Sequence, residues 1–153
     1  MIKKFFIFLL NLPWTLIGLS AALISVPRRI EFLSNPPAII FYIRSFWWYK
    51  WMPGQEGVRA MATGHVIQMS KWADDLDLKH ELIHVEQWMR YPLISGFLFL
   101  IEVMRHGPCP PKNKFEKEAY ERAGNRFGYF VVNFPIVMIT SFIDFDQFLV
   151  HRL

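Results

Sequence analysis

The chain has 153 residues, enough for one hydrophobic core and not for two. Hydrophobic residues make up 53% and aromatic residues 17%, with 15 Phe, above the roughly 45–50% apolar content of soluble domains, so the chain either buries an unusual share of itself or gives part of itself to lipid. The formal charge of +4 suits an anionic membrane surface, but no basic cluster interleaves with an aromatic platform, which argues against nucleic acid as a partner; the single cysteine, Cys109, excludes an internal disulfide and a thiolate zinc cage.

Lys3 and Lys4 precede an uncharged run from Phe5 to Val26, closed by Arg28 and Arg29. The run exceeds the ~20 residues a membrane-spanning helix needs, and lipid-embedded helices tolerate interruptions such as Asn11 and Pro13. It is too long for the apolar region of a cleaved signal peptide, about 7–15 residues. Residues 1–30 are therefore expected to form an N-terminal transmembrane helix, a single-pass anchor with membrane lipid as its partner. Its orientation is left open by the small charge bias. Residues 31–153 are expected to form the folded domain.

Ser34-Asn35-Pro36-Pro37 breaks the chain. Residues 38–44 read as a short strand. Phe46, Trp47, Trp48, Tyr49 and Trp51 suggest core packing or a membrane-interface belt, and residues 52–57 a turn. Residues 58–70 read as a second extended stretch, broken by Gly64, in which a lone histidine, His65, is read as structural.

Asp74 and Asp77 have the spacing of an N-cap and its N3 partner. A helix is predicted over 75–91, ending before Pro92. At about 100° per residue it carries three stripes. Asp75, Lys79, Glu86 and Arg90 face solvent, with favourable i,i+4 charge pairs. Leu78, Leu82, Val85 and Met89 face the core. His80, His84, Gln87 and Tyr91 form a polar stripe of their own. Residues 93–104 predict a buried or interfacial apolar helix, too short to span a bilayer. Asn113 then caps a helix over 114–127, with Glu116 in the place of the capping-box acid. Residues 129–143 form a third apolar stretch.

His80-Glu81-Leu82-Ile83-His84 is an H-E-x-x-H pattern. Two imidazoles four residues apart share one helix face and can take two positions of a tetrahedral zinc ion. Glu81 is offset from His80 and can reach a metal-bound water without ligating the metal, which suits a general base. A catalytic zinc needs a third protein ligand. His106, in a Gly-Pro loop, is a weaker candidate than the acids Glu116, Glu118 and Glu121. Glu118 is favoured because Glu116 has a capping task and because Ala119, next to Glu118, would let two helices approach closely. Glu116 stays open as the alternative.

With Phe115-Glu116-Lys117-Glu118-Ala119-Tyr120 downstream of the His-Glu motif, the sequence resembles a minimal gluzincin-type zinc metallopeptidase. The resemblance covers about residues 57–127. It implies an α+β, zincin-like domain with an active-site helix, a second ligand-bearing helix and a short strand region, Glu118 as third zinc ligand, and residues 58–70 as a strand lining the cleft and pairing with substrate. Tyr120 stands where the family pattern usually has an acid, which leaves it as a candidate oxyanion donor. The expected activity is zinc-dependent hydrolysis of a peptide or protein substrate at a membrane, with a membrane-protein partner as a further possibility. The competing expectation is a catalytically weak or inactive zincin-fold membrane protein with a structural or interaction role.

Overall fold

The computed structural model describes residues 2–44, 46, 58–107 and 112–124. Among the described residues, five helices and four strands follow in the order α1 (Ile2–Leu10), α2 (Leu12–Ile24), β1 (Pro27–Ser34), β2 (Pro37–Ile43), β3 (Ala60–Thr63), β4 (Val66–Met69), α3 (Asp75–Arg90), α4 (Ser95–His106) and α5 (Lys114–Ala123). The expected Trp-rich belt from Trp47, the turn at 52–57, the end of the 114–127 helix and the apolar stretch 129–143 lie outside the described residues.

The strands form one sheet in the order β1-β2-β4-β3. β1 and β2 are an antiparallel hairpin, with Ile30 opposite Phe41. β2 runs parallel to β4, with Ile39 opposite Val66. β3 and β4 form a second antiparallel hairpin. Its turn needs Gly64, which has φ +61° and sits so close to α2 that a Cβ there would lie 2.6 Å from the Thr15 nitrogen. The extended stretch 58–70 is thus two strands folded back on each other.

Side-chain alternation sorts the two faces of the sheet. Phe41, Ile43 and Val66 pack with Ala22 of α2, supported by Leu19, Ile39 and Met61. Ala38, Ile40, Ile67 and Met69 pack on the opposite face with Val85 of α3, supported by Leu78, Leu82 and Met89. The core stripe expected for the 75–91 helix is therefore the one that covers the sheet. β1 is an edge strand with mostly exposed side chains.

The expected N-terminal anchor is not formed. Among the described residues, no helix is long and apolar enough to cross a membrane. The run from Phe5 to Val26 is divided between α1 and α2, of 9 and 13 residues, and 13 residues of helix reach only ~20 Å against ~30 Å of hydrocarbon. Pro13 sits in the first turn of α2, where its missing N–H is tolerated. The buried stripe of α2 is small and polar: Asn11, Thr15, Gly18, Ala22 and Ser25. A Cβ on Gly18 would lie 2.7 Å from the Thr63 carbonyl oxygen, so the helix backbone rests directly on the sheet. Asn11 Nδ2 donates to the Trp88 carbonyl at 2.9 Å and Trp14 Nε1 to the Leu93 carbonyl at 2.7 Å. Leu16, Ile17, Leu23 and Ile24 face outward. The expected boundary near residue 30 falls inside β1. The architecture is accordingly a small mixed α/β domain in which α2, the sheet and α3 are successive layers, not an α+β zincin-like domain behind a separate transmembrane helix.

Of the two alternatives for the 93–104 helix, the buried one does not hold: of α4 only Ser95 is buried, while Phe97, Leu100, Ile101 and Met104 are exposed.

Candidate metal centre

α3 starts on a full capping box. Asp74 Oδ1 accepts from the backbone N–H groups of Leu76 at 2.9 Å and Asp77 at 3.1 Å, and the Asp74 N–H donates to Asp77 Oδ2 at 2.9 Å. This fixes the rotation of the helix, so Val85 faces the sheet and the histidine stripe faces α5. His80, His84 and Gln87 are 8%, 6% and 3% exposed, whereas Tyr91, expected on the same stripe, is 43% exposed.

Asn113 starts α5. Its Oδ1 accepts from Phe115 N at 3.1 Å and Glu116 N at 3.3 Å, and its Nδ2 donates to the Gly107 carbonyl at 3.0 Å. Glu116 points its carboxylate at the α3 histidines. Ala119 and Ala123, one and two turns further on, pack against Ile83, and these small side chains set the close approach of the two helices.

The His80 and His84 Nε2 atoms are 3.0 Å apart. Glu116 lies 3.3 Å from His80 Nε2 through one oxygen and 3.5 Å from His84 Nε2 through the other. One donor atom from each of the three residues falls within 4.8 Å of the others. Two nitrogen acceptors and a carboxylate crowded together out of water are unfavourable unless a positive charge joins them. A proton is the smallest such charge. Burial pulls the His84 pKa down, but the facing Glu116 carboxylate and its hydrogen bond outweigh this and lift it to about 9. Burial pushes Glu116 up, and the His84 charge with hydrogen bonds from both imidazoles more than reverses that, to about 2. A divalent cation would serve the same three donors, and the two-nitrogen, one-carboxylate set is one that zinc accepts.

The structure thus brings together His80, His84 and Glu116. It does not bring Glu118 to them. Glu118 lies two residues on, ~200° around the helix, and faces the flank of α3. There it accepts from Arg90 at 2.7 and 3.0 Å, from Arg122 at 3.2 Å and from Gln87 at 3.0 Å. Of the two acids, the structure sets the alternative, Glu116, and not the favoured Glu118, beside the histidines, because Asn113 caps the helix and leaves the Glu116 side chain to turn inward. His106 lies at the end of α4, 4.0 Å from Glu102.

Glu81 is 7% exposed. Burial pushes its carboxyl up, against the pull of the His84 and His80 charges. The Tyr120 ring meets His80 edge to face, with centroids 4.6 Å apart. Phe99 of α4 meets His84 in the same way at 5.6 Å, and Phe115 stacks behind it at 5.7 Å. Trp88, Ser95, Phe99 and Phe115 line a small hollow beside His84 and Gln87. His65 is buried elsewhere, its Nδ1 3.1 Å from Thr15 Oγ1. No family model, curated protein or solved structure matches this chain.

Proposed function

We propose that the chain is a zinc-dependent hydrolase acting on peptide bonds, with His80, His84 and Glu116 holding the metal. The observation that carries this reading is the convergence of a buried H-E-x-x-H histidine pair with a carboxylate from a second helix. The motif resemblance to gluzincin-type peptidases points the same way. Zinc in that position would act as a Lewis acid and lower the pKa of its water.

The chain's own residues supply the rest. Glu81 lies between the ligand positions in sequence but offset on the helix, so its carboxylate flanks the site. Its raised proton affinity suits a group that accepts a proton from water and returns it to the leaving amine. Tyr120 packs on His80 and, as a donor near the site, would contribute to binding a developing oxyanion. Phe99 and Phe115 exclude water from the His84 side, which strengthens the electrostatics at the ligands.

The decisive experiment measures zinc content and hydrolysis of a peptide library together. The wild type is expected to bind one zinc and to cleave, and Glu81→Gln to keep the zinc while losing about 10²–10⁴-fold in rate. Full activity in Glu81→Gln would remove the proposed base. A second reading, a metal held for structural or interaction purposes, is favoured by two buried histidines and a largely enclosed Glu116, which leave little open space for a peptide. Stoichiometric zinc with no turnover across the library would select it.

A further inference from the structure

Gln87 is one turn beyond His84 on α3, and its Oε1 lies 2.8 Å from His84 Nδ1. Its Nε2 lies 3.0 Å from the Phe115 carbonyl oxygen and 3.0 Å from Glu118 Oε2. Both of those neighbours are acceptors only. The amide nitrogen must therefore face α5, and the amide oxygen must face His84. An oxygen in that place requires His84 Nδ1 to carry a proton. The free lone pair of a neutral His84 is then on Nε2, the atom that faces His80 and Glu116.

His80 has no such partner: its Nδ1 is buried without a hydrogen bond among the described residues. The two histidines are thus unequal. One imidazole is held in a single tautomer and ring orientation, and the other is held by packing against Tyr120 and His84.

Glu118 extends the chain of contacts outward. It receives Gln87 on one side and the Arg90 and Arg122 guanidinium groups on the other, so the amide cannot turn over without breaking into an ion-pair network that also includes Glu86.

We propose that Gln87 is a positioning residue for the metal centre, fixing His84 with Nε2 toward the ion, and that Glu118 acts through Gln87 by locking the amide. This rests on the proposed zinc site. It gives a task to Gln87, a residue with no place in the H-E-x-x-H pattern, and a new one to Glu118.

The test is zinc affinity of the full chain, by competition with a chelating dye, in wild type, Gln87→Met and Glu118→Gln. Methionine keeps the length of glutamine without its hydrogen bonds. Gln87→Met is expected to bind zinc about 10–100-fold more weakly, the range found when the partner of a metal-bound histidine is removed. Glu118→Gln, which keeps an acceptor for the amide but loses the ionic lock, is expected to lose less. Unchanged affinity in Gln87→Met would overturn the inference while leaving the zinc site standing; a wild type that binds no zinc would overturn both.

A second measurement covers the case in which Gln87→Met does not fold, and it separates positioning from general support. In the zinc-loaded wild type, nitrogen-15 spectra of the imidazoles should show His84 bound through Nε2, with a slowly exchanging proton on Nδ1. Glu118→Gln should speed that exchange. Zinc bound through Nδ1 of His84, or an Nδ1 proton that exchanges as freely as one in water, would overturn the assignment.

Discussion

Two interfaces of α3 and α2 bury histidine, and the histidines behave oppositely. At the α2–sheet interface, the His65 ring meets the Thr15 hydroxyl and the Phe8 ring, and burial pulls its pKa down. At the α3–α5 interface, His84 is buried as deeply, yet Glu116 raises its pKa to about 9. The α2 interface is not short of polar groups. Asn11, Thr15, Ser25, His65 and Gln68 are all buried there, and Ser25 Oγ donates to Gln68 Oε1 at 3.2 Å. They are strung along the interface in separate pairs, Thr15 with His65 and Ser25 with Gln68. At α3–α5 the polar atoms converge on one point. Burial of polar side chains is common to both regions; convergence of acceptors with a carboxylate marks the one that can hold a cation.

The largest expected effect comes from removing the carboxylate. Glu116→Gln should cost more zinc affinity than the 10–100-fold of a lost supporting group, because the proposed third ligand is gone. It should also make His84 resemble His65, with a pKa drawn below its ordinary value. Imidazole titration followed by NMR and zinc competition on the same sample test both. Zinc binding retained at wild-type strength would return the third ligand to another acid.

Next comes pH. Zinc must displace the proton that Glu116 holds on His84, so affinity should climb about tenfold per pH unit from neutrality toward about 9 and flatten above it. A flat profile across that range would show that no such proton is displaced.

The metal-free protein sharpens the comparison further. His84 has a folded pKa raised above the unfolded ~6.5, so its contribution to stability is complete below that value and is lost as pH rises through about 9. His65 has a lowered folded pKa, so its contribution is complete above ~6.5 and is lost as pH falls toward the depressed value. Thermal midpoints against pH should lose their alkaline decline in Glu116→Gln and part of their acid decline in His65→Gln. The same decline in all three proteins would separate stability from these two rings.

The smallest effect belongs to the α2 interface alone. Thr15→Val removes the hydroxyl that meets His65 and should destabilise the fold by ~1–3 kcal/mol, read by denaturant unfolding, with zinc affinity unchanged.

The stripes of α3 were legible because helical period, an N-cap and charge pairs all agree there, and the same signals placed the histidine pair. The choice between Glu116 and Glu118 was open to the same arithmetic. Ala119 marks the face of α5 that touches α3, and the acid sharing that face is three residues away, at Glu116, not adjacent. Sequence proximity to Ala119 misled where angular proximity would have decided. Summed hydropathy makes the α1–α2 region one span because it ignores which side is apolar. Asn11, Thr15 and Ser25 fall on one stripe with Gly18 and Ala22, a pattern that predicts a helix resting on polar and small groups. β1 gave little signal, since an exposed edge strand lacks the buried alternation that identifies strands.

The site also has a consequence for how the molecule opens. Its donors sit at His84 on α3 and Glu116 on α5, and α4, exposed along most of its length, lies between them in sequence. A cation shared by the two helices would therefore clip shut a loop that contains α4, at a closure cost that grows only as the logarithm of loop length. Without the cation, α5 is held to α3 by two alanines on Ile83, by Glu116 and Tyr120 against the histidines, by the Gln87 hydrogen bond to the Phe115 carbonyl and by the ion pairs around Glu118, with a smaller apolar core than the sheet under α3. Swinging α5 away is then one sub-global opening of this end of the molecule, and amide hydrogens of residues 114–123 would report it by exchanging faster than those of residues 80–88. Adding zinc would slow the first group far more than the second, turning ligand binding into a local change of breathing rate.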